Sequence, residues 1–308
     1  MQEEDSPYVS IGLPVYNGER YLAETIESVL RQTFLSFELI ICDNASTDGT
    51  RAIVERFAGR DGRVRYYRNE ENLGAPRNYN RCFALARGKY FKWIAADDLI
   101  DPDYLDYTVE ALDATPSAVL AYTRGVGIDE EGRLLKRSKH PVPLHEQGSA
   151  LSRFVRFRER SGFSAWPMLY IFGLMRSDVL RQTRLHGTYV NSDNCLIYEM
   201  LLRGAFVEVP EPLSAFRIHE GSSSAYAKTP QLRQRFFNPQ SGLLSGLVGH
   251  RRLYFEYLLA IGRAPISPLQ KLRVAFFNMT WALRRSEDRE AEADSQLLPL
   301  AAPSAGRG

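Results

Sequence analysis

In the stretch "FKWIAADDLI", positions 91–100, two adjacent carboxylates, Asp97 and Asp98, directly follow an apolar run with the composition of a buried strand. Bringing two carboxylates together costs repulsion unless a proton or a cation offsets it. Carboxylate oxygens are hard ligands suited to Mg2+ or Mn2+, and Mg2+ is usually held by one or two carboxylates together with substrate phosphates. The pair therefore points to a nucleotide-bearing substrate. The ordinary alternative is helix capping, because "DDLIDPDYL" leads into a helix and acids favour helix N-termini. Further along, "FRIHEG" sets Arg217 and His219 two residues apart, on one face of a strand.

These groups need elements to position them. From Tyr8 to Tyr122 short apolar runs alternate with helix-like segments, the pattern of βαβ units around a mostly parallel sheet. "YVSIGLPVYN" leads into a helix in which Leu22, Ile26, Val29 and Leu30 share one face. "FELIICDNAS" precedes a helix expected from Thr50 to about Gly59, and "VRYYRN" one expected to stop at Gly88. "KYFKWIAADD" and "AVLAYT" are the fourth and fifth strands. Each strand ends in polar residues, and ligands of open α/β sheets bind beyond the carboxyl ends of the strands. Asp43, Asn44, Asp97 and Asp98 are therefore expected to converge.

After Thr123 the texture changes to a turn-rich, charged excursion, "GIDEEGRLLKRSKHPVPLHEQG". "MLYIFGLMRSDVL" is expected to be a strand running into a helix capped at Ser177, "SDNCLIYEMLLRG" a helix, and "AFVEVPEPLSAFRIHEGSSS" a strand with two prolines. From Pro230 onward the chain reads as helical, with Ser267 capping and Pro268 at the permitted first position.

The 308 residues suffice for one large α/β domain with an appendage, and 44% apolar with 25% charged residues excludes disordered and fibrous classes. Cys42, Cys82 and Cys195 lack the spacing of a zinc site or a disulfide framework. The start "MQEEDSPYVS" lacks the pattern of a secretory signal, and no run reaches the roughly 18 apolar residues of a membrane span, so a cytoplasmic location is expected. The net charge of +2 does not suggest nucleic acid as a partner, yet between Thr229 and Arg285 nine Lys or Arg face one acid, Glu256.

The combination of "IGLPVYNGERYLAETIESVLRQTF", "IICDNASTDGT", "ENLGAPRNYNRCFALARGKYFKWIAADD" and "FRIHE", in matching order over roughly residues 7–225, closely resembles family 2 glycosyltransferases. The resemblance implies a GT-A fold: a Rossmann-like, mostly parallel central sheet flanked by helices, here with a C-terminal helical extension. It implies a catalytic domain over 1–225, with nucleotide-sugar binding in about 7–125 and the acceptor part in about 126–225. A helical region, 226–289, and a flexible tail, 290–308, would follow.

The same resemblance places Pro14, Val15 and Asn17 beside the nucleotide and Asp43 on its base, where a carboxylate can accept from the imide N–H of uracil or thymine. It brings Arg77 and Asn78 to the nucleotide or phosphate. It makes Asp98 a direct ligand of Mn2+ or Mg2+ and Asp97 a contact to ribose or metal-bound water, although Ala95 stands where a first acid is common. It makes Asp193 the base that takes the acceptor's proton, with Ser192 replacing the usual Glu; the alternative for Asp193 is a helix cap. Arg217 would neutralise phosphate, His219 would complete the metal site, and Trp166 would stack on a sugar. His140, His145, His186 and His250 read as structural.

The activity implied is inverting transfer of a sugar from a UDP- or dTDP-linked donor to an acceptor hydroxyl, in surface polysaccharide or glycolipid synthesis, on a saccharide or lipid-linked acceptor. Two other classes stay open: a sugar-phosphate nucleotidyltransferase, although "LPVYNGERYL" lacks its Gly-rich loop, and a non-catalytic nucleotide-sugar-binding module. In the C-terminal helices Leu269, Leu272, Phe276, Met279 and Leu283 fall at helical spacing among Lys271, Arg273, Arg284 and Arg285. Such helices suit the inner face of a membrane, the catalytic domain or a second subunit of a homodimer.

Overall fold

The segment VSIGLPV is buried at every position, as expected of a strand covered on both faces. It opens a computed structural model that describes residues 6–137, 148–161, 167–221, 236–239 and 249–280. The elements alternate at first: β1 (Val9–Val15), α1 (Leu22–Leu30), β2 (Phe37–Asp43), α2 (Thr50–Ala58), β3 (Val64–Arg68), α3 (Ala75–Ala84) and β4 (Tyr90–Trp93). They continue with β5 (Leu99–Ile100), α4 (Tyr104–Ala114), β6 (Ala118–Ile128), β7 (Leu134–Arg137), α5 (Ala150–Ser161) and α6 (Pro167–Ile171). Then come β8 (Leu174–Arg176), α7 (Ser177–Leu180), α8 (Ser192–Arg203), β9 (Ala205–Arg217), α9 (Gly249–Arg263) and α10 (268–280).

The sheet runs β3-β2-β1-β4-β8-β6-β9-β5, with β7 beside β6. Strands β1 to β4 are mutually parallel and β6 is parallel to β9, while β8 lies antiparallel between β4 and β6. Six strands therefore point one way, and the mostly parallel α/β sheet expected from the sequence is present. The order reverses between β1 and β4, which opens a crevice beyond their carboxyl ends.

Alternation along each strand divides the core into two layers. Val9, Ile11, Leu13, Leu39 and Ile41 pack with Leu22, Ile26 and Val29 of α1. Ile40, Cys42, Phe91 and Trp93 point to the other face, against Phe83 of α3 and Leu196 and Met200 of α8. Each such side chain stabilises the fold by about 1.5–3 kcal/mol, so truncating fully buried Ile26 to Ala would cost about 2–5 kcal/mol. Gly12 is required between the layers, since a Cβ there would lie 2.7 Å from both Cys82 Cβ and Phe91 Cζ.

Several sequence expectations are corrected. The helix α3 ends at Ala84, and Gly88 instead serves a close approach, because a Cβ there would sit 2.6 Å from the Ser10 nitrogen. "MLYIF" is largely helical, and the strand that follows has only three residues, Leu174–Arg176, long enough to bridge β4 and β6. Ser177 does not cap α7; its hydroxyl donates to the Gly88 carbonyl at 2.7 Å and its N–H to Lys89 at 3.0 Å, docking the segment on the start of β4. The prolines of β9 fall where the ladder with β6 breaks, between the pairs Val209–Thr123 and Ser214–Gly125, so no ladder bond is lost to them.

In the C-terminal part Ser267 does cap α10: its hydroxyl accepts from the Gln270 N–H, and the Gln270 side-chain Oε1 accepts from the Ser267 N–H. The helix α9 is fixed to α8 by the ion pair of Glu199 with Arg263, and to the segment between α7 and α8 by that of Glu256 with Arg184 at 3.1 Å. Trp166, the excursion from 138 to 147 and the tail 290–308 lie outside the described residues.

Candidate active site

The loops after β1 and β2 are laced together at the crevice. Val15 pairs in register with Asp43, and its carbonyl accepts from the Asn44 N–H at 2.8 Å. Asn17, exposed and in the left-handed region at φ 52°, donates its N–H to Ser46 Oγ and accepts from the Thr47 N–H, both at 2.9 Å. Pro14 and Val15 are buried at the carboxyl end of β1, and Asn17 is exposed just beyond them. Asp43 is fully buried: Oδ1 accepts from the Ser46 N–H, and Oδ2 from the Tyr66 hydroxyl, both at 2.8 Å, with Arg68 3.4 Å away. The carboxylate holds the Tyr66 hydroxyl above its ordinary pKa, second to burial.

Asn78 departs from the expectation of a nucleotide contact. Its amide donates to the Cys42 carbonyl at 2.7 Å and accepts from Asn69 at 3.0 Å, so it ties α3 to β2 from a buried position. Arg77 lies on the exposed side of the same helix.

Beyond β4 the chain turns at Ala95–Asp98 and brings Asp97 and Asp98 against the end of β9. Asp98 is 7% exposed, and its Oδ1 accepts from the Arg217 N–H at 3.0 Å. Burial, then the neighbouring Asp97 charge, push its carboxyl well above the usual range, opposed by that bond and by the charges of Lys92 and Arg217. Lys92, buried under the turn, donates to the Trp93 carbonyl at 2.9 Å and is lowered to about 7 by burial. Asp97 is the more accessible acid, and its Oδ2 is hydrogen-bonded to His219 Nε2 at 2.9 Å.

Arg217 corrects the sequence reading. Its side chain is 1% exposed, and four of its five N–H groups are already engaged. Nε donates to the Asp97 carbonyl at 3.0 Å, Nη1 to the carbonyls of Asp129 and Glu130 at 3.1 and 3.0 Å, and Nη2 to Glu24 at 2.6 Å. Its guanidinium also lies 4.6 Å over the Tyr21 ring, which the His219 ring approaches to 4.9 Å. A guanidinium so occupied is a clamp that joins the acid turn, the β6–β7 turn and α1, with no fork left for a phosphate. Glu24 and Tyr21 belong to this assembly and escaped the sequence reading; the signals were an acid in the first turn of α1 and a tyrosine preceding it.

Asp193 stands in the first turn of α8, after Asn191 in the left-handed N-cap conformation, and no side-chain cap bond is made there. Burial raises its carboxyl pKa against the N–H groups of Asn194 and Asp193 itself. Tyr79 marks how the acids are arranged: burial chiefly raises its hydroxyl, and the charges of Asp97, Asp98 and Asp193 raise it further. The charges of all three carboxylates are thus felt at one partly exposed ring of α3. That ring packs 5.1 Å from His186 and 6.2 Å from Trp93, and the Trp93 indole donates to the Tyr79 carbonyl at 2.9 Å. His186 is half-buried, and desolvation lowers its pKa to about 4, so the ring is uncharged. Tyr79 was missed because no local pattern distinguishes it from a core aromatic.

The donor set near the turn, two carboxylates and an imidazole, suits Mn2+ or Mg2+. One oxygen of Asp98 is left without a hydrogen bond among the described residues, and the charges of Lys92 and Arg217 only partly offset the burial of its own. A divalent ion would supply what the carboxylates lack. Among the described residues no three His, Cys, Asp or Glu form a ready cage, in keeping with an ion completed by substrate phosphates.

The family model for glycosyl transferase family 2 matches residues 10–181. An uncharacterized glycosyltransferase of Haemophilus influenzae is 34% identical over 233 residues, 72% of this chain and 69% of its own. The chain spans only 21% and 48% of the length of the first two curated relatives it matches. Among solved structures, S. aureus TarS 1-349 in complex with UDP-GlcNAc superposes with a TM-score of 0.63 at 17% identity, over 87% of this chain and 70% of that one. The mannosyltransferase PcManGT from Pyrobaculum calidifontis, in complex with GDP-Man and Mn2+, gives 0.53 at 17% identity, over 91% and 81%. These likenesses establish the GT-A fold.

Proposed function

The chain belongs to glycosyl transferase family 2, and from that premise we propose that it transfers a sugar from a UDP- or dTDP-linked donor to an acceptor hydroxyl, with inversion. The observation that carries this reading is the meeting of Asp97, bonded to His219, and Asp98, bonded to the Arg217 N–H, at the carboxyl edge of the sheet, with Asp193 opening α8. Donor complexes of the two structural neighbours, one with UDP-GlcNAc and one with GDP-Man and Mn2+, support a nucleotide sugar as ligand class.

The donor's base would lie at the ends of β1 and β2, beside Pro14, Val15 and Asn17. Asp43 would accept from its imide N–H if the Tyr66 hydroxyl yields its place. Asp98 and His219 would hold the ion, with Asp97 orienting His219 or a water on the ion; when bound, the ion neutralises charge gathering on the departing diphosphate. The acceptor oxygen attacks the anomeric carbon as the bond from that carbon to the diphosphate oxygen breaks. The electron pair leaves with the diphosphate, and the acceptor's proton passes to Asp193. Its raised pKa makes Asp193 a stronger base than an exposed carboxylate. Arg217 touches no substrate atom and keeps the acids in place. The acceptor is a saccharide or a lipid-linked glycan of surface polysaccharide or glycolipid synthesis.

Release of nucleoside diphosphate from a panel of nucleotide sugars, with Mn2+ and with EDTA, tests the reading. A family 2 transferase with this site releases nucleoside diphosphate from one donor and stops in EDTA. Pyrophosphate release from a nucleoside triphosphate and a sugar phosphate would mark a nucleotidyltransferase. Donor binding without turnover would mark a binding module.

A further inference from the structure

The C-terminal helices bury one face and leave the other apolar. The helix α9 buries Leu253, Tyr257 and Ile261 in the core cluster that includes α8, and α10 buries Val274 in the same cluster. On the opposite side of α10, Leu269, Leu272, Phe276 and Met279 are 57%, 69%, 70% and 57% exposed. Their spacing of three, four and three residues keeps them on one helical face. Phe255 of α9 is 60% exposed as well. Folding does not require this row, because α10 is already anchored by its buried face, and an aligned apolar row on a surface marks a contact site.

Charge decides the occupant. In the sequence nine Lys or Arg stand against a single acid between Thr229 and Arg285; of those on the described helices, Arg252 is paired with Glu256 and Arg263 with Glu199, whereas Lys271 and Arg273 of α10 have no carboxylate partner among the described residues. Arg273 is exposed directly beside Leu272. A second copy docked face to face would set Lys271 and Arg273 against the same cations of its partner. An anionic lipid surface accepts both the apolar row and the flanking charge. No helix among the described residues is long and apolar enough to cross a membrane, so the contact lies in the interfacial plane.

We propose that the outward face of α10, with Leu272 and Phe276 at its centre and Arg273 beside them, docks on an anionic membrane surface. The proposal stands apart from the transfer reading except in one consequence, that the acceptor would be presented from lipid.

The test is co-sedimentation of the full chain with phosphatidylcholine vesicles, with and without phosphatidylglycerol, at low and high salt. The wild-type chain is expected to pellet with the anionic vesicles and to be released by salt. The double variant Leu272→Asp/Phe276→Asp should lower partitioning at least about tenfold, and Arg273→Glu severalfold, with nucleoside diphosphate release and melting temperature unchanged. Wild-type chain left in the supernatant with phosphatidylglycerol vesicles would overturn the proposal. So would vesicle binding indifferent to all three substitutions, or a dimer by light scattering that the double variant converts to monomer without change in vesicle binding. Loss of donor turnover in the wild-type chain, with vesicle binding intact, would count against the transfer reading alone.

Discussion

Replacing Arg217 by Lys distinguishes a clamp from a phosphate ligand. Lysine keeps the positive charge but offers three donors from a single nitrogen, which cannot reach Asp97, Asp129, Glu130 and Glu24 together. Hydrogen bonds to a charged group contribute about 1.5–3 kcal/mol each. The Glu24 carboxylate is half exposed and its share is small, whereas the carbonyl bonds are made by a guanidinium that is 1% exposed. Losing two of the carbonyl bonds gives a destabilisation of about 3 kcal/mol or more. At about 2–4 °C per kcal/mol for a chain of this size class, the melting temperature should fall by about 6–12 °C. The assay is thermal unfolding of wild type and Arg217→Lys, paired with donor affinity by calorimetry. A variant that melts within about 2 °C of wild type while its donor affinity drops about tenfold would refute the clamp and return Arg217 to the diphosphate.

Asp193→Asn should lower transfer by about 10²–10⁴-fold with donor affinity kept, and wild-type turnover in that variant would remove Asp193 as base. Burial raises the Asp193 pKa, so the folded state keeps a proton that the unfolded chain releases. Stability therefore falls as pH rises from the unfolded carboxyl pKa through the folded value, and Asp193→Asn should melt higher than wild type above that window; a lower melting temperature there would contradict the desolvation argument. Tyr79→Leu removes the ring at which the three acid charges are felt and should raise KM for a sugar substrate by about fivefold with little loss of kcat, given stacking worth on the order of 1 kcal/mol. Tyr79→Phe should stay near wild type, and equal kinetics for Leu and wild type would place the ring outside the sugar site.

The first four strands and the helices after them were legible because each is fixed by its own residues. VSIGLPV and FELIICD are buried throughout, so continuous apolar runs identify them, and α1 carries its apolar face at regular spacing. The three-residue β8 was not legible, since its strand state comes from the gap between β4 and β6 and not from Leu-Met-Arg. In the site, carboxylates at strand tips announced themselves by type. The engagement of Arg217 did not, because three of its acceptors are main-chain carbonyls that any residue would offer. Asn78 misled for a related reason: a side chain that can bind a nucleotide can equally bind the Cys42 carbonyl.

The adjacent acids are made unequal by the backbone that surrounds them. Asp98 faces inward, with one oxygen on the Arg217 N–H and its charge raised in energy by burial. Asp97 faces the crevice and grips His219, whose ring shares Tyr21 with the Arg217 guanidinium. The two carboxylates thus meet a cation from different states. Asp98 has an unbonded oxygen and a desolvated charge to relieve, whereas Asp97 would have to share or release an imidazole. A divalent ion gains more from Asp98, because the desolvation already incurred in folding is recovered when the ion arrives. Arg217 matters to both acids at once, through its main-chain N–H on one and its Nε on the carbonyl of the other. The absence of an acid at Ala95 is therefore tolerable: the turn is held by the arginine at the end of β9, and an acid that would face an ion need not also hold the turn.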